Sequence, residues 1–339
     1  MPTTVFVVDD NDINLAMAEE ALEDQYLVMT IQSAIKMFAL LERIKPDLIL
    51  LDIEMPEMNG FEVLKKLKED EKYSDIPVIF LTSMNDPITE TKGFELGAVD
   101  FVSKPFSIPV LINRVKTHIN VDTLISERTE KLQSLQRGLV FVLADLIEKR
   151  DSNAEDHVKR MTKYLELLLK AMEKRGLYAG ELGKIDRDAF VLSACLHDVG
   201  KSVVPDILLN KPGKLEEEEY ENLKKHSMEG ERIIEEIAIY AKDTEFINNA
   251  LRCTRSHHEC WDGTGYPDGL SGTDIPLQGR IMAIVDVYDA LVSKRSYKKP
   301  YTSEEAAQIV LDGAGTKFDP EIAKVFFDIR DQISAVGAI

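Results

Sequence analysis

Basic residues are scarce in this chain. Forty-one lysines and arginines stand against 60 aspartates and glutamates over 339 residues, a formal net charge of −19. That balance excludes a nucleic-acid polymer as partner, because phosphate contacts need a basic face; a local basic pocket for a small anionic substrate stays open. Long apolar runs are missing too. Stretches such as "LILL" are far too short to span a bilayer. The start shows no charged segment followed by an apolar one, so no export signal and a cytoplasmic protein are expected. Cysteine is limited to Cys195, Cys253 and Cys260, with no C-x-x-C pair, which suits a reducing compartment. Cys195, in "SACLH", reads as a core residue. Histidine occurs six times, and that scarcity makes its placement informative. The rest is ordinary: 44% hydrophobic and 30% charged residues are typical of soluble globular domains, two or three at this length.

Residues 1–120 alternate short apolar runs ("TVFVVDD", "YLVMTI", "DLILLDI", "IPVIFLT", "VDFVSK") with stretches of helical period such as "GFEVLKKLKED". Strands alternating with helices at this spacing predict a parallel sheet covered on both faces. The working residues of such a sheet lie beyond the carboxyl ends of its strands. Asp9 and Asp10 end the first run, Asp52 the third, Thr82 the fourth and Lys104 the fifth. Each alone reads as a solvated strand-end residue. Together the carboxylates suit Mg²⁺, and Asp52 suits a phosphoryl acceptor whose oxygens Thr82 and Lys104 would hold.

These residues and their intervals, with "VVDD", "LDIEMPEMNG" and "KPF", resemble the receiver domain of response regulators. The resemblance implies a doubly wound, flavodoxin-like, five-stranded parallel sheet. It also implies Mg²⁺ at Asp9, Asp10 and Asp52, phosphorylation of Asp52 by a histidine kinase, and a switch formed by Thr82, Phe101 and Lys104.

Glycine and proline nearly vanish from about 107 to 149, where Gly138 is the one glycine and no proline follows Pro109. Counting in sevens gives His118, Ile125, Leu132, Leu139 and Leu146, and at an offset of three Val121, Arg128, Leu135 and Val142. That is the pattern of a coiled-coil seam. We read residues 121–147 as a helical coiled-coil connector and expect a parallel homodimer through the helix 118–146, in preference to one long helix packed on its own domain.

Apart from His118, the histidines fall between 157 and 258: His157, His197, His226, His257 and His258. "VLSACLHDVGKSVVPD" reads as a helix ending in His197-Asp198 and stopped by Gly200. A carboxylate beside an imidazole there can face one metal and turn its second oxygen to another. Asp286 sits in the apolar helix "RIMAIVDVYDALVS", where a buried charge needs a partner. Imidazole and carboxylate without cysteine spacing disfavour a structural zinc finger and suit a hydrolytic iron or manganese site.

The ordered set H…HD…H…HH…D resembles the HD-domain metal phosphohydrolases. "HHECWDGTGYPDGL", with "HDVGK", "LLNKPGKL", "DVYDALVSKRSY" and "FDP", resembles their HD-GYP subgroup, with matches spread across residues 148–320 of a domain read as 148–339. That resemblance implies a mostly helical domain that hydrolyses cyclic di-GMP. It implies one metal on His157, His197, Asp198 and Asp286, and a second on Asp198, His226, His257 and His258. Lys201, Arg295 and Lys298 would hold the substrate phosphates, with Lys201 and Asp198 catalytic, and Tyr266 would approach the substrate. Trp261 reads as a loop anchor. Some members use a third metal held by a glutamate four residues before the first histidine. Here that position is Asn153, while Glu155 would point away, so two metals are expected. The alternatives are a module that binds nucleotide or a partner without turnover, and a hydrolase of another cyclic dinucleotide.

Overall fold

The computed structural model describes residues 3–83, 87–150, 156–241, 244–293 and 299–336. It divides into two compact units, Met1–Leu132 and Gln133–Ile339. In the first, the apolar runs fold as strands β1 (Thr4–Val8), β2 (Leu27–Ile31), β3 (Leu48–Asp52), β4 (Val78–Thr82) and β5 (Asp100–Ser103). They form one parallel sheet in the order β2-β1-β3-β4-β5, the doubly wound arrangement that the sequence predicts. Parallel neighbours need crossovers, supplied by helices α1 (Asp12–Leu22), α2 (Ala34–Leu41), α3 (Gly60–Glu69) and α4 (Pro87–Glu95). Side chains alternate between the faces of a strand. Phe6, Val8, Ile49, Leu51 and Phe80 therefore pack with Val63, Leu64 and Leu67 on one face. Val5, Val7, Leu50, Ile79 and Leu81 pack with Leu15, Ala18 and Leu22 on the other. The strand order reverses about β1, so the carboxyl ends of β1 and β3 border the crevice where such sheets bind ligands. Gly60 keeps the crevice compact: a Cβ there would lie 2.4 Å from the Asp52 carbonyl oxygen and 2.9 Å from Ile53 Cα.

The stretch poor in glycine and proline is one helix, α5 (Ile108–Glu148), of 41 residues. Its first turns pack Leu111, Val115 and Ile119 against the sheet. His118, expected on the seam, belongs instead to this packed face. Its Nε2 lies 3.0 Å from Asp100 Oδ2, and Arg114 pairs with the same carboxylate. The apolar repeat beyond it is exposed: Val121, Ile125, Leu132, Leu135, Leu139, Val142 and Leu146 each keep a large part of their surface open. Near its end the helix also turns Val140 and Ala144 into the core of the second unit.

That unit continues with α6 (His157–Arg175), α7 (Ala179–Leu182), α8 (Arg187–Ala194), α9 (Asp206–Leu209), α10 (Glu217–Lys224) and α11 (His226–Ala238). After these come α12 (Thr244–Ser256), α13 (Leu277–Val292), α14 (Ser303–Asp312), α15 (Pro320–Asp328) and α16 (Arg330–Val336). Ile281, Met282, Ala283, Ile284 and Val285 of α13 are consecutive and all buried, the mark of a helix enclosed on every side. A carboxylate on such a helix must find a cation or donors, and α13 carries two, Asp286 and Asp289. Among the described residues no helix is long and apolar enough to cross a membrane.

Candidate metal centre

At the carboxyl edge of the sheet, Asp9, Asp10 and Asp52 each bring an oxygen within 4.8 Å of the others. Lys104 Nζ lies 2.6 Å from Asp9 Oδ2 and 2.8 Å from Asp52 Oδ1. Asn14 Nδ2 donates to both oxygens of Asp9. Burial pushes the Asp52 carboxyl up, against the pull of Lys104. Thr82 is buried at the end of β4. The Phe101 ring packs on Phe80 and Phe94, with centroids at 5.4 and 4.9 Å, over a space that a Cβ on Gly93 would fill. An all-oxygen set of three carboxylates suits a hard cation such as Mg²⁺.

In the second unit the histidines stand at helix ends. His197 Nδ1 lies 3.0 Å from the Ala194 carbonyl, His226 Nδ1 2.7 Å from that of Leu223, and His257 Nδ1 3.0 Å from those of Cys253 and Thr254. A helix leaves its last carbonyls short of partners and with acceptor capacity to spare, and these imidazoles donate to them. A carbonyl only accepts, so Nδ1 carries the proton and Nε2 presents a lone pair beyond the helix end. His157 is held the same way by a carboxylate, with Nδ1 2.7 Å from Asp289 Oδ2.

The freed nitrogens converge on Asp198. Its Oδ2 is 3.2 Å from His197 Nε2; its Oδ1 is 3.2 Å from His226 Nε2 and 3.6 Å from His257 Nε2. His226 Nε2 and His257 Nε2 face each other at 3.4 Å. Asp198, His226, His257 and His258 bring ligand atoms within 4.8 Å of one another, and so do Glu148, His157 and His197. Asp286, half-buried on α13, adds an oxygen 3.9 Å from His197 Nε2. Three atoms of this group, Glu148 Oε1, His197 Nε2 and Asp198 Oδ1, are buried without a hydrogen-bond partner. Buried acceptors turned toward one another call for a cation. The residues therefore fit divalent metals, with no thiolate among them.

The electrostatics show the Asp198 carboxylate drawing positive charge, a proton on His197 and the Lys201 ammonium, toward the place a cation would take. Burial would raise the Asp198 carboxyl, but Lys201 and His197 outweigh it and hold it well below the usual carboxylate range. Lys201 Nζ lies 2.6 Å from Asp198 Oδ2 and 3.6 Å from Glu148 Oε1. Burial raises the Glu148 carboxyl in spite of Lys201. Burial would lower His197, yet Asp198 raises it to about 9, while burial pulls His257 and His258 down.

Gly200 differs from its expected role as a helix stop. α8 already ends at Ala194, and His197-Asp198 lie in the turn before a 3-10 segment, Val199–Val203. A Cβ on Gly200 would lie 1.9 Å from the His226 carbonyl oxygen and 2.5 Å from Gly230 N. The glycine is needed because this segment presses backbone to backbone on α11, which sets Asp198 beside His226.

The loop after His258 is built around Glu259, whose carboxylate accepts from the backbone N–H of Asp268 (2.8 Å) and Leu270 (3.0 Å). Gly265 lies so close to this strut that a Cβ would meet Cys260 N at 2.2 Å. The Tyr266 ring is thereby laid on His258, centroids 4.7 Å apart and 33° from parallel. Trp261 ties the loop through its backbone, to the Lys317 carbonyl and to Gly272 N–H. Arg295, Lys298, Asn153 and Glu155 lie outside the described residues.

Two residues of the site escaped sequence reasoning. Glu148 belongs to no recognisable motif, though it ends α5 nine residues before His157. Asp289, three residues after Asp286 on the same helix face, accepts from His157 Nδ1 and, at 2.7 and 2.8 Å, from Arg160 Nε and Nη2. Burial opposes its charge, but Arg160 and His157 hold it down to about 2. A carboxylate behind a ligating imidazole fixes its ring and tautomer. Asp289→Asn is therefore expected to weaken metal binding about 10–100-fold while the protein stays folded. Metal titration of the variant followed by thermal unfolding checks this, and unchanged affinity would assign Asp289 to packing alone.

Comparison with known proteins divides the chain in the same way. Residues 5–116 match the family model of the response regulator receiver domain, and residues 142–322 that of the HD domain. A Vibrio cholerae protein named "Probable cyclic di-GMP phosphodiesterase" is 39% identical over 95% of this chain and 77% of its own length. The Xanthomonas campestris "Cyclic di-GMP phosphodiesterase response regulator RpfG" is 30% identical over 98% of this chain and 89% of its own. A Vibrio cholerae "3'3'-cGAMP-specific phosphodiesterase 2" is 36% identical over 61% of this chain and 37% of its own.

Proposed function

The chain belongs to the response regulators that join a receiver domain to an HD domain, and on that premise we propose that it is a phosphorylation-controlled phosphodiesterase of cyclic di-GMP. It hydrolyses this second messenger, the activity in the names of two relatives that match nearly the whole chain. The observation that carries the reading is Asp198, whose two oxygens face different histidine clusters. A module that only bound nucleotide or a partner would have no use for a carboxylate shared in this way.

We assign residues 1–120 to the receiver, 121–147 to the connector and 148–339 to the HD-GYP domain. One divalent metal would be held by His157, His197, Asp198 and Asp286 with Glu148, the other by Asp198, His226, His257 and His258. Imidazole with carboxylate favours iron, with manganese second. Such a pair supplies water activation and charge neutralisation at a phosphodiester. The chain's own residues do the rest. Asp198 orients both clusters, and Lys201, held by Asp198 and Glu148, puts a fixed positive charge where phosphoryl oxygens gain charge. Tyr266, laid flat on His258, offers a ring face beside the second cluster. In the receiver Asp9, Asp10 and Asp52 hold Mg²⁺ while a histidine kinase phosphorylates Asp52. Thr82, Phe101 and Lys104 respond, and the protein works in the cytoplasm.

Anaerobically prepared, metal-loaded protein should hydrolyse cyclic di-GMP, and a chelator should abolish turnover. Loaded protein that binds the dinucleotide without product would sink the catalytic reading. The cGAMP-specific relative favours a second reading, in which another cyclic dinucleotide is the substrate; competition between the two dinucleotides decides.

The uncovered apolar repeat of α5 supports a homodimer through residues 121–146. Glutamates at Leu132 and Leu139 should turn a dimer into a monomer in sedimentation. They should also erase any difference in turnover between beryllofluoride-treated and untreated protein, with Asp52→Asn as the unresponsive control. A dimer that survives both substitutions would place the interface elsewhere.

A further inference from the structure

Arg150 stands two residues beyond Glu148, just past the end of α5, and spreads its guanidinium over one segment of the catalytic unit. Nη1 donates to the backbone carbonyls of Lys201 (2.9 Å) and Ser202 (2.8 Å), and Nη2 to that of Val204 (2.9 Å). Nε and Nη2 both reach Asp206 Oδ1, at 3.1 and 2.7 Å. Asn210 Nδ2 answers with a bond to the Arg150 carbonyl at 2.9 Å. The acceptors are carbonyls of the short 3-10 segment and the turn after it, which have few partners of their own. A planar fork of five donors can serve all of them at once; a lysine ammonium cannot.

The end of α5 therefore grips Lys201 twice. Arg150 holds its backbone, and Glu148 stands 3.6 Å from its ammonium, which in turn lies on Asp198. The same turns of α5 bury Val140 and Ala144 in the core and leave Leu139, Val142 and Leu146 uncovered. A rotation or axial shift of this helix end must carry Arg150 with it, and hence the Lys201–Asp206 segment.

We infer that Arg150 is a positioning residue that fixes Lys201 in the active site, and that this clamp is where a change in the connector helix reaches the chemistry. The inference rests on the catalytic reading above and names its regulation.

The test uses full-length, metal-loaded protein with cyclic di-GMP. Arg150→Ala should keep its metals and lose about 100-fold in kcat, the scale for a displaced catalytic group, with KM changed less. Arg150→Lys should not restore it. In a Lys201→Ala background the same change should cost less than about 3-fold, because residues that act through one another are not additive. Asp206→Ala, at an exposed side chain, should show a smaller loss with the same non-additivity, and it decides the matter if Arg150→Ala does not fold. Equal losses with and without Lys201, or unchanged kcat in both variants, would overturn the inference. Wild-type protein inert toward cyclic di-GMP would overturn the functional reading instead. The clamp would then be judged by amide exchange at Lys201–Asp206, which must quicken in Arg150→Ala if the inference holds.

Discussion

Asp198→Ala is expected to strip metal from both clusters and to lower turnover by roughly four orders of magnitude, about 5 kcal/mol of transition-state stabilisation. The reason is geometric. Asp198 Oδ2 faces His197 and Oδ1 faces His226 and His257, so one truncation takes an oxygen from each side. Lys201 also loses its closer carboxylate and keeps Glu148 at 3.6 Å, which holds the ammonium less tightly. Elemental analysis together with steady-state turnover checks both effects, and a thermal scan separates them from unfolding. Retention of two metals with normal turnover would remove Asp198 from the bridging role.

Glu148→Gln is expected to have effects of opposite sign in the metal-free and metal-loaded protein. In the metal-free protein burial already disfavours the Glu148 charge, and Lys201 keeps its 2.6 Å contact with Asp198. A neutral amide of the same shape should leave the melting temperature unchanged or raise it. With metal present the amide brings no charge to the His157–His197 cluster, so affinity and turnover should fall by at least about 100-fold, the upper end for a carboxylate that only supports a ligand. Melting curves with and without metal, beside metal content, read both signs. A variant that melts lower without metal and binds metal normally would make Glu148 a structural partner of Lys201. Two transition metals per chain are expected in this half, with Glu148 completing the His157–His197 cluster; three would mean that Glu148 serves a site of its own.

The motifs that were legible are those whose chemistry is local in the chain. Asp52 and Thr82 end their strands and Asp9, Asp10 and Lys104 follow theirs, and a parallel sheet brings all its carboxyl ends to one edge, so spacing placed these residues together. His197-Asp198 and His257-His258 are adjacent pairs, rare enough in a chain of six histidines to be noticed. Gly200 reads in sequence as a helix stop, but helix stops and close backbone approaches both select glycine, and only the packing on α11 tells them apart. His118 fitted a count of seven, but the repeat does not say where a helix stops packing on its own sheet and starts to face outward.

Alternation of apolar runs with helical periods determined a parallel sheet covered on both faces, while the ordered histidines and aspartates pointed to metal ligands and implied a mostly helical unit only through the family they resemble. Periodicity and adjacency are properties of the backbone's own repeat, so they are written in the order of residues. Tertiary structure decided what depends on contacts between distant segments. Glu148 enters the site because α5 ends against the Lys201 segment, Asp289 stands behind His157 across 132 positions of chain, and Arg150 reaches carbonyls more than 50 residues away. A buried carboxylate or guanidinium is chosen by the partners that folding brings to it, and no local pattern marks those partners in advance.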